Sequence, residues 1–487
     1  MGGAARAGIA QGREGFHDRS MTGWDPDRSP VGTRFAWVLA ANAMVLLGHF
    51  ATFLRYRDYP MWRAESLIVA GLLVASAAAV AWFYARGPRM LRLAWVLLLG
   101  IAIVDFAQPE NGWWLLLALV AVAVHEKFGL ALFKFATVMF ASVLLFALAG
   151  WSATTRPMES AGAMKAGDRS QRAIVHFILD EQAGPDGLAL LEPSAPGIAQ
   201  KLAPWRAMGF AIAPHPRSDY SRTKESIPQL MRLGAARDLT ETMAAPGRSV
   251  RVVQSTFFDL CAEARAVDRC DTYGFDRLDL VAGMEAPLGH RAAFLGGSFL
   301  KLAHSGRWVT GLVRDGPAWP GALAPYRDLV TRPRANTVNA KRAAGWLEEE
   351  LARLQPGEAW VVHLLLPHFP YALREDCTTR PIAQWLSEDS AVPIEMRARA
   401  YSAQLECTNR VMARLVAAIE ASPAGRDTVI LAYGDHGARI RGDHKSLAEQ
   451  EVSMRAPLVA VRGVALPEGE NLAELVAAAT AEASAPR

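Results

Sequence analysis

Two patterns of apolar residues divide the chain. Up to about residue 151 they run in long unbroken stretches, and from Ser152 onward short apolar runs alternate with amphipathic ones. Five segments of the first kind are Phe35–Leu54, Leu67–Tyr84, Leu91–Ala107, Trp113–Val124 and Phe128–Trp151. A helix crossing a bilayer needs about 20 residues, so all five are long enough, or nearly so, to span, the fourth being the short one. In the second region, Ala173–Leu179, Val250–Gln254, Ala359–Leu366 and Val429–Tyr433 read as buried strands, the last being the final clear one. Pro196–Ala207, Asn339–Leu354 and Arg397–Ala421 have helical spacing. This alternation predicts an α/β domain with a largely parallel central sheet behind an α-helical membrane domain of about five spans.

Charge gives these spans an orientation. The N-terminal stretch carries Arg6, Arg13, Arg19, Arg28 and Arg34, the second connection Arg86, Arg89 and Arg92, and the fourth Lys127. The third connection holds only Asp105 and Glu110. Basic loops stay in the cytoplasm, which puts the N-terminus inside and everything after the fifth segment outside. Arg55, Arg57 and Arg63 dissent, partly offset by Asp58 and Glu65. The expected organisation is a cytoplasmic tail over 1–33, a transmembrane domain over 34–151, a polar linker over 152–172 and an extracytoplasmic domain over 173–487.

Composition adds little until it is split in this way: 51% hydrophobic and 21% charged residues average over two unlike regions. A net charge of +4, with no basic run interleaved with aromatics, gives no reason to expect a nucleic-acid partner. All four cysteines, Cys261, Cys270, Cys377 and Cys407, follow the apolar third. An even count there suits two disulfides in an oxidising compartment, Cys261–Cys270 and Cys377–Cys407, with four buried thiols as the alternative. Structural zinc is not expected, because no C-x-x-C pair is present.

Polar residues with chemical potential cluster at the predicted strand ends. Asp180-Glu181 follows the first strand, where buried carboxylates must be paired, metal-bound or solvated. Tyr220–Pro228 is hydroxyl-rich with basic neighbours, and a hydroxyl nucleophile needs its pKa lowered, for example by a metal. Each of these two also reads as a helix cap. His368 sits between Pro367 and Pro370, just past the third strand, whereas His363 inside that strand reads as a core residue. Asp435-His436 leaves the last strand between Gly434 and Gly437, with His444 and Lys445 following. Asp and His side by side at the carboxyl end of a strand offer an oxygen and a nitrogen to a divalent metal.

Taken together, in this order and approximate spacing, the four motifs resemble the alkaline phosphatase/sulfatase superfamily. The likeness is closer to its membrane-anchored branch, the lipid A phosphoethanolamine transferases and lipoteichoic acid synthases. The resemblance implies five N-terminal spans, an extracytoplasmic sulfatase-like catalytic domain and a divalent metal. Zinc is the expected ion, with manganese, magnesium and calcium as alternatives. It implies Asp180 as first acidic ligand with Glu181 as competitor, and Asp435 and His436 as the Asp-His metal pair. Ser221 stands where the transferases place a nucleophilic Thr, and Thr223 is its competitor. His368 and His444 are implied as contacts of the transferred group. The Cys-x-Pro-x-Arg signature of sulfatases that mature to formylglycine is absent.

The expected function is transfer of a substituted phosphoryl group, such as phosphoethanolamine or phosphoglycerol, to a lipid or cell-envelope glycan hydroxyl through a covalent Ser/Thr intermediate. The expected location is the cytoplasmic (inner) membrane, with the catalytic domain on the periplasmic or extracellular side. Hydrolysis of phosphate or sulfate esters at the same site is the first alternative. A non-catalytic, membrane-anchored binding protein is the second.

Overall fold

The computed structural model describes residues 29–106, 113–149, 158–191, 195–232, 237–317, 323–331, 333–387, 392–440 and 447–485. The chain forms two compact units, Met1–Gly48 with Leu73–Val143, and His49–Leu72 with Leu144–Arg487. Five helices open it: α1 Val31–Tyr56, α2 Ala64–Arg86, α3 Arg89–Phe106, α4 Trp113–Phe128 and α5 Leu130–Ala149. Among the described residues, α1, α2 and α5 are long and apolar enough to cross a membrane. The helices α3 and α4 have 18 and 16 residues. In the first unit Val38, Ala41, Ala81, Tyr84, Val96 and Phe133 form a packed cluster.

In the second unit, among the described residues, one mixed sheet contains β1 Met158–Gly162, β2 Ile174–Leu179, β3 Ala211–Ile212, β4 Ser249–Ser255, β5 Arg269–Tyr273, β6 Glu358–Leu364, β7 Val429–Gly434 and β8 Val459–Arg462. Their order is β1-β5-β4-β6-β2-β7-β8-β3. The five central strands β5, β4, β6, β2 and β7 run parallel, and β1, β8 and β3 are antiparallel additions. Alternate residues of β2 serve opposite cores: Val175, Phe177 and Leu179 face one, Ile174 and Ile178 the other. That is why β2 reads as an unbroken apolar run. Each such side chain contributes about 1.5–3 kcal/mol on burial. The exception, His176, is buried against the Tyr433 hydroxyl, 3.2 Å from Nδ1. Burial pulls its pKa down to about 3, so the ring is neutral.

Three features differ from the sequence expectation. Residues 158–162, in the stretch read as linker, form the edge strand β1 against β5. The sheet continues past β7 into β8. Strand β6 ends at Leu364, two residues early, as the chain turns toward Pro367. The dissenting basic loop is accounted for as well. Arg57 pairs with Asp276, Asp58 with Arg277 at 3.2 Å, and Arg63 with Glu65 at 2.9 Å. Arg55 donates to the Phe146 carbonyl at 3.3 Å. These charges find their partners within the second unit. Both expected disulfides, Cys261–Cys270 and Cys377–Cys407, are formed.

Candidate functional site

Strand register assembles the site. Leu179 of β2 lies opposite Leu364 of β6 and Gly434 of β7, so three parallel strands end level. Asp180 and Asp435 are the next residues, and the β6 exit leads to His368. The turn after β2 is fixed in place: Glu181 has φ 67°, and the Tyr401 hydroxyl donates to its carbonyl at 2.7 Å while accepting from the Ala183 amide at 3.1 Å. The glycines flanking Asp435-His436 are set by close approach. A Cβ on Gly434 would lie 2.5 Å from the Gln182 carbonyl oxygen, and one on Gly437 2.0 Å from that of Ser453. His368 lies between two cis X-Pro bonds, Leu366-Pro367 and Phe369-Pro370.

Two overlapping groups of buried ligand atoms result, Asp180 with Asp435 and His436, and Asp180 with Glu181 and His368. His436 Nε2 lies 3.5 Å from Asp435 Oδ2 and 3.7 Å from Asp180 Oδ1. Its Nδ1 is 2.8 Å from the Gly437 carbonyl, which must accept a proton from it. That fixes the tautomer and leaves the Nε2 lone pair turned toward the carboxylates, the usual disposition of a metal-ligating histidine.

The hydroxyl at the centre is that of Thr223. Its Oγ1 donates to Asp180 Oδ2 at 3.1 Å and lies 3.4 Å from His436 Nε2. Thr223 opens the helix Thr223–Arg232, and Ser226, three residues on, donates to Asp435 Oδ2 at 3.4 Å. The i,i+3 spacing puts both hydroxyls on one helix face. Ser221 precedes the helix, is only partly buried, and has no hydrogen bond to the cluster. The structure thus brings Thr223 to the acids and leaves Ser221 without a hydrogen bond to them.

The electrostatics call for a cation. Asp180, Glu181 and Asp435 are fully buried together, and the guanidinium reaching them is that of Arg439, 2.7 Å from Glu181 Oε1. Burial, and then the charge of Asp180, push the Asp435 carboxyl up. Asp180 Oδ1 has no hydrogen-bond partner among the described residues. Clustered carboxylates, an inward imidazole nitrogen and an orphaned carboxylate oxygen fit a divalent metal.

Sequence reasoning missed Arg439 and misplaced His363. Arg439 donates to His368 Nε2 at 3.1 Å as well as to Glu181. Burial, reinforced by Arg439 and partly offset by Asp180, takes His368 down to about 3. Its ring is neutral, donating from Nδ1 to the Phe369 carbonyl at 2.5 Å. Arg439 and Arg334 both stack on Phe369, 5.3 and 4.7 Å from its centroid. His363, taken as a core residue, lies 3.6 Å from Asp180 Oδ2. A basic residue three positions after a strand-end histidine was the only available signal for Arg439. His444 lies outside the described residues.

Residues 329–473 match the sulfatase family model. The matched segment holds His368, Asp435, His436 and Arg439, while Asp180 and Thr223 lie before it. This match marks a sulfatase-like segment in the chain, and the buried acid–histidine cluster at the strand ends agrees with it. No curated protein matches the chain. Among solved structures, the periplasmic domain of EptC from Escherichia coli shares 12% identity over 62% of this chain and 75% of its own, TM-score 0.34. The integral membrane lipooligosaccharide phosphoethanolamine transferase EptA from Neisseria meningitidis shares 12% over 89% of this chain and 88% of its own, TM-score 0.33. A Bacteroides thetaiotaomicron sulfatase acting in glycosaminoglycan metabolism shares 11% over 64% and 71%, TM-score 0.35. At these scores none of the three transfers an activity to this chain.

Proposed function

We propose that the protein transfers a substituted phosphoryl group, such as phosphoethanolamine or phosphoglycerol, to a lipid or glycan hydroxyl at the outer face of the membrane. The observation that carries this reading is the buried Thr223 hydroxyl held between Asp180 and His436. Asp180, Asp435 and His436 hold a divalent cation, zinc by their mixed oxygen and nitrogen set. Glu181 serves Arg439 instead. A bound cation supplies Lewis-acid polarisation of a phosphoryl oxygen and a lowered pKa for a coordinated hydroxyl.

Thr223 is oriented by Asp180, which accepts its proton, and its oxygen attacks the donor phosphorus. The bond from phosphorus to the donor oxygen breaks, that oxygen takes the proton from Asp180 as it leaves, and a phospho-substituted Thr223 remains. Arg439 and His368 face the phosphoryl oxygens, the guanidinium donating hydrogen bonds and the neutral imidazole adding no charge. An acceptor hydroxyl then displaces Thr223, which regains its proton. Five membrane crossings, with the N-terminus in the cytoplasm, place this domain outside, where both disulfides persist. Membrane tethering favours transfer over hydrolysis, because donor and acceptor are confined to one surface. Water as acceptor gives the alternative hydrolase by the same first half-reaction.

The test uses the full-length protein in vesicles containing phosphatidylethanolamine and phosphatidylglycerol. Expected are near-stoichiometric zinc, lost in Asp435→Ala, and a phospho-substituted Thr223 peptide in the mass spectrum. Folded protein that takes up no divalent metal and never acquires the adduct would overturn the proposal.

A further inference from the structure

The helix His304–Asp315 is built inside out for a domain surrounded by water. Thr310 is 3% exposed, while Trp308, Leu312 and Val309 are 68%, 55% and 44% exposed. Gly306 is also buried, so close to the preceding helix that a Cβ there would lie 1.8 Å from the Leu300 carbonyl oxygen. Trp308 and Leu312, four residues apart, share a face with Val309 beside them; the exposed Arg307 and Arg314, seven residues apart, lie together to one side of that stripe, and Arg314 pairs with the exposed Asp315 at 2.8 Å. An outward apolar face carrying Trp and Leu and bordered by arginines is the composition of a helix lying in a membrane interface.

The preceding helix, Leu288–Leu300, shows where this face sits. Near its start Arg291 meets Glu65, in the first turn of α2, at 3.5 Å. Further along, a Cβ on Gly296 would meet Val69 of α2 at 3.8 Å. Near its end Phe299 packs on Phe50 and Phe53 of α1, with centroids 5.2 and 5.6 Å apart. Phe50 precedes the end of α1, Tyr56, by six residues, or about 9 Å along the helix axis. Leu288–Leu300 therefore descends beside two helices able to cross a membrane and ends alongside their apolar length. His304 follows four residues later. Interfacial helices lie about 5–10 Å into the bilayer surface.

We propose that His304–Asp315 is an interfacial helix, its Trp308, Val309 and Leu312 seated at the headgroup–acyl boundary and its Arg307 beside lipid phosphates. The partner is the outer lipid surface. The inference rests on α1 and α2 crossing the bilayer and is independent of the chemistry at Thr223. It has a consequence for the site. Downstream of the helix, Arg334 stacks on Phe369, and Thr337 donates to the carbonyls of His368 and Pro370. A lipid-seated segment is thus joined through a short stretch of chain to the His368 loop.

All four natural cysteines are paired, so single cysteines can be introduced into the full-length protein. Leu312→Cys and Trp308→Cys would carry a nitroxide in phosphatidylethanolamine/phosphatidylglycerol vesicles. Val74→Cys serves as the reference in α2, and Arg353→Cys, at a side chain 73% exposed, as the reference in water. Collision with oxygen is compared with collision with a water-soluble nickel chelate. Nickel accessibility at 308 and 312 several-fold below that at 353, with oxygen accessibility close to that at 74, is the expected result. Labels at 308 and 312 that match 353, while 74 stays lipid-like, would overturn the interfacial helix alone. A water-like label at 74 would remove the spanning premise and the inference with it. Spin–spin broadening at 312 that vanishes on dilution with unlabelled protein would assign the face to a second copy and also overturn it.

Discussion

Replacing Thr223 by Ala, with Ser221→Ala beside it, separates the two hydroxyls that sequence left in competition. Both half-reactions pass through the Thr223 oxygen, so its removal eliminates the covalent route. A loss of at least about a thousandfold is expected, equivalent to about 4 kcal/mol of transition-state stabilisation. The same substitution removes the hydrogen bond to Asp180 at 3.1 Å and the contact with His436 at 3.4 Å. Leaving Asp180 less satisfied costs about 1–3 kcal/mol of stability, too little to unfold a domain of this size. Ser221 makes no hydrogen bond to the cluster and is half-buried. Its replacement should leave activity within about twofold and stability within about 0.5 kcal/mol. Thr223→Ser keeps the oxygen and should retain most of the rate. The assay is formation of the phospho-substituted peptide and of lipid product, with a thermal melt as the folding control. If Ser221→Ala abolished both while Thr223→Ala, equally folded, retained them, the assignment drawn from the helix face would be wrong.

Three further outcomes follow from the same structure. Arg439→Ala strips the buried Glu181 of its guanidinium at 2.7 Å and should destabilise by about 3 kcal/mol; Lys should restore only part of this, having no fork to reach Glu181 and His368 together. Reducing the disulfides should cost about 3.5 kcal/mol at Cys377–Cys407, which closes 30 residues, and about 2.5 kcal/mol at Cys261–Cys270, which closes 9. Denaturant melts of the single-pair variants would test that order. Asp268 accepts from Lys165 at 2.8 Å, the Val250 amide at 2.9 Å and Ser249 at 3.1 Å. Burial works against its ionisation, but these partners prevail and its pKa is lowered. Its contribution is present at neutral pH, above the unfolded value of about 4, and is lost as pH falls through the folded value. Asp268→Asn should therefore be less stable at pH 7 by about 1–2 kcal/mol, with the gap closing in acid; a gap that stays constant to low pH would refute the linkage.

What the sequence determined by itself was local. Periodicity gave the apolar helices, the buried strands β2, β4, β6 and β7 and the long helix ending at Ala421, because apolar spacing records which faces are covered. The position and parity of the cysteines anticipated both bridges. Asp180 and Asp435 were legible as carboxylates at strand ends, where an open parallel sheet keeps its ligands. The tertiary structure decided what depends on phase and register. The level ends of β2, β6 and β7 bring together residues up to 256 positions apart, as Asp180 and His436 are. One helix face carries Thr223 and Ser226 to the acids, and Ser221 stays in the turn before that helix. Arg439 and His363 gained their places from side-chain direction, which a linear pattern does not carry. In the loop Arg57–Arg63, Arg57 and Asp58 find their partners, Asp276 and Arg277, more than 200 residues away. Contacts of that length leave no period in the sequence, only residues that look out of place until the chain is folded.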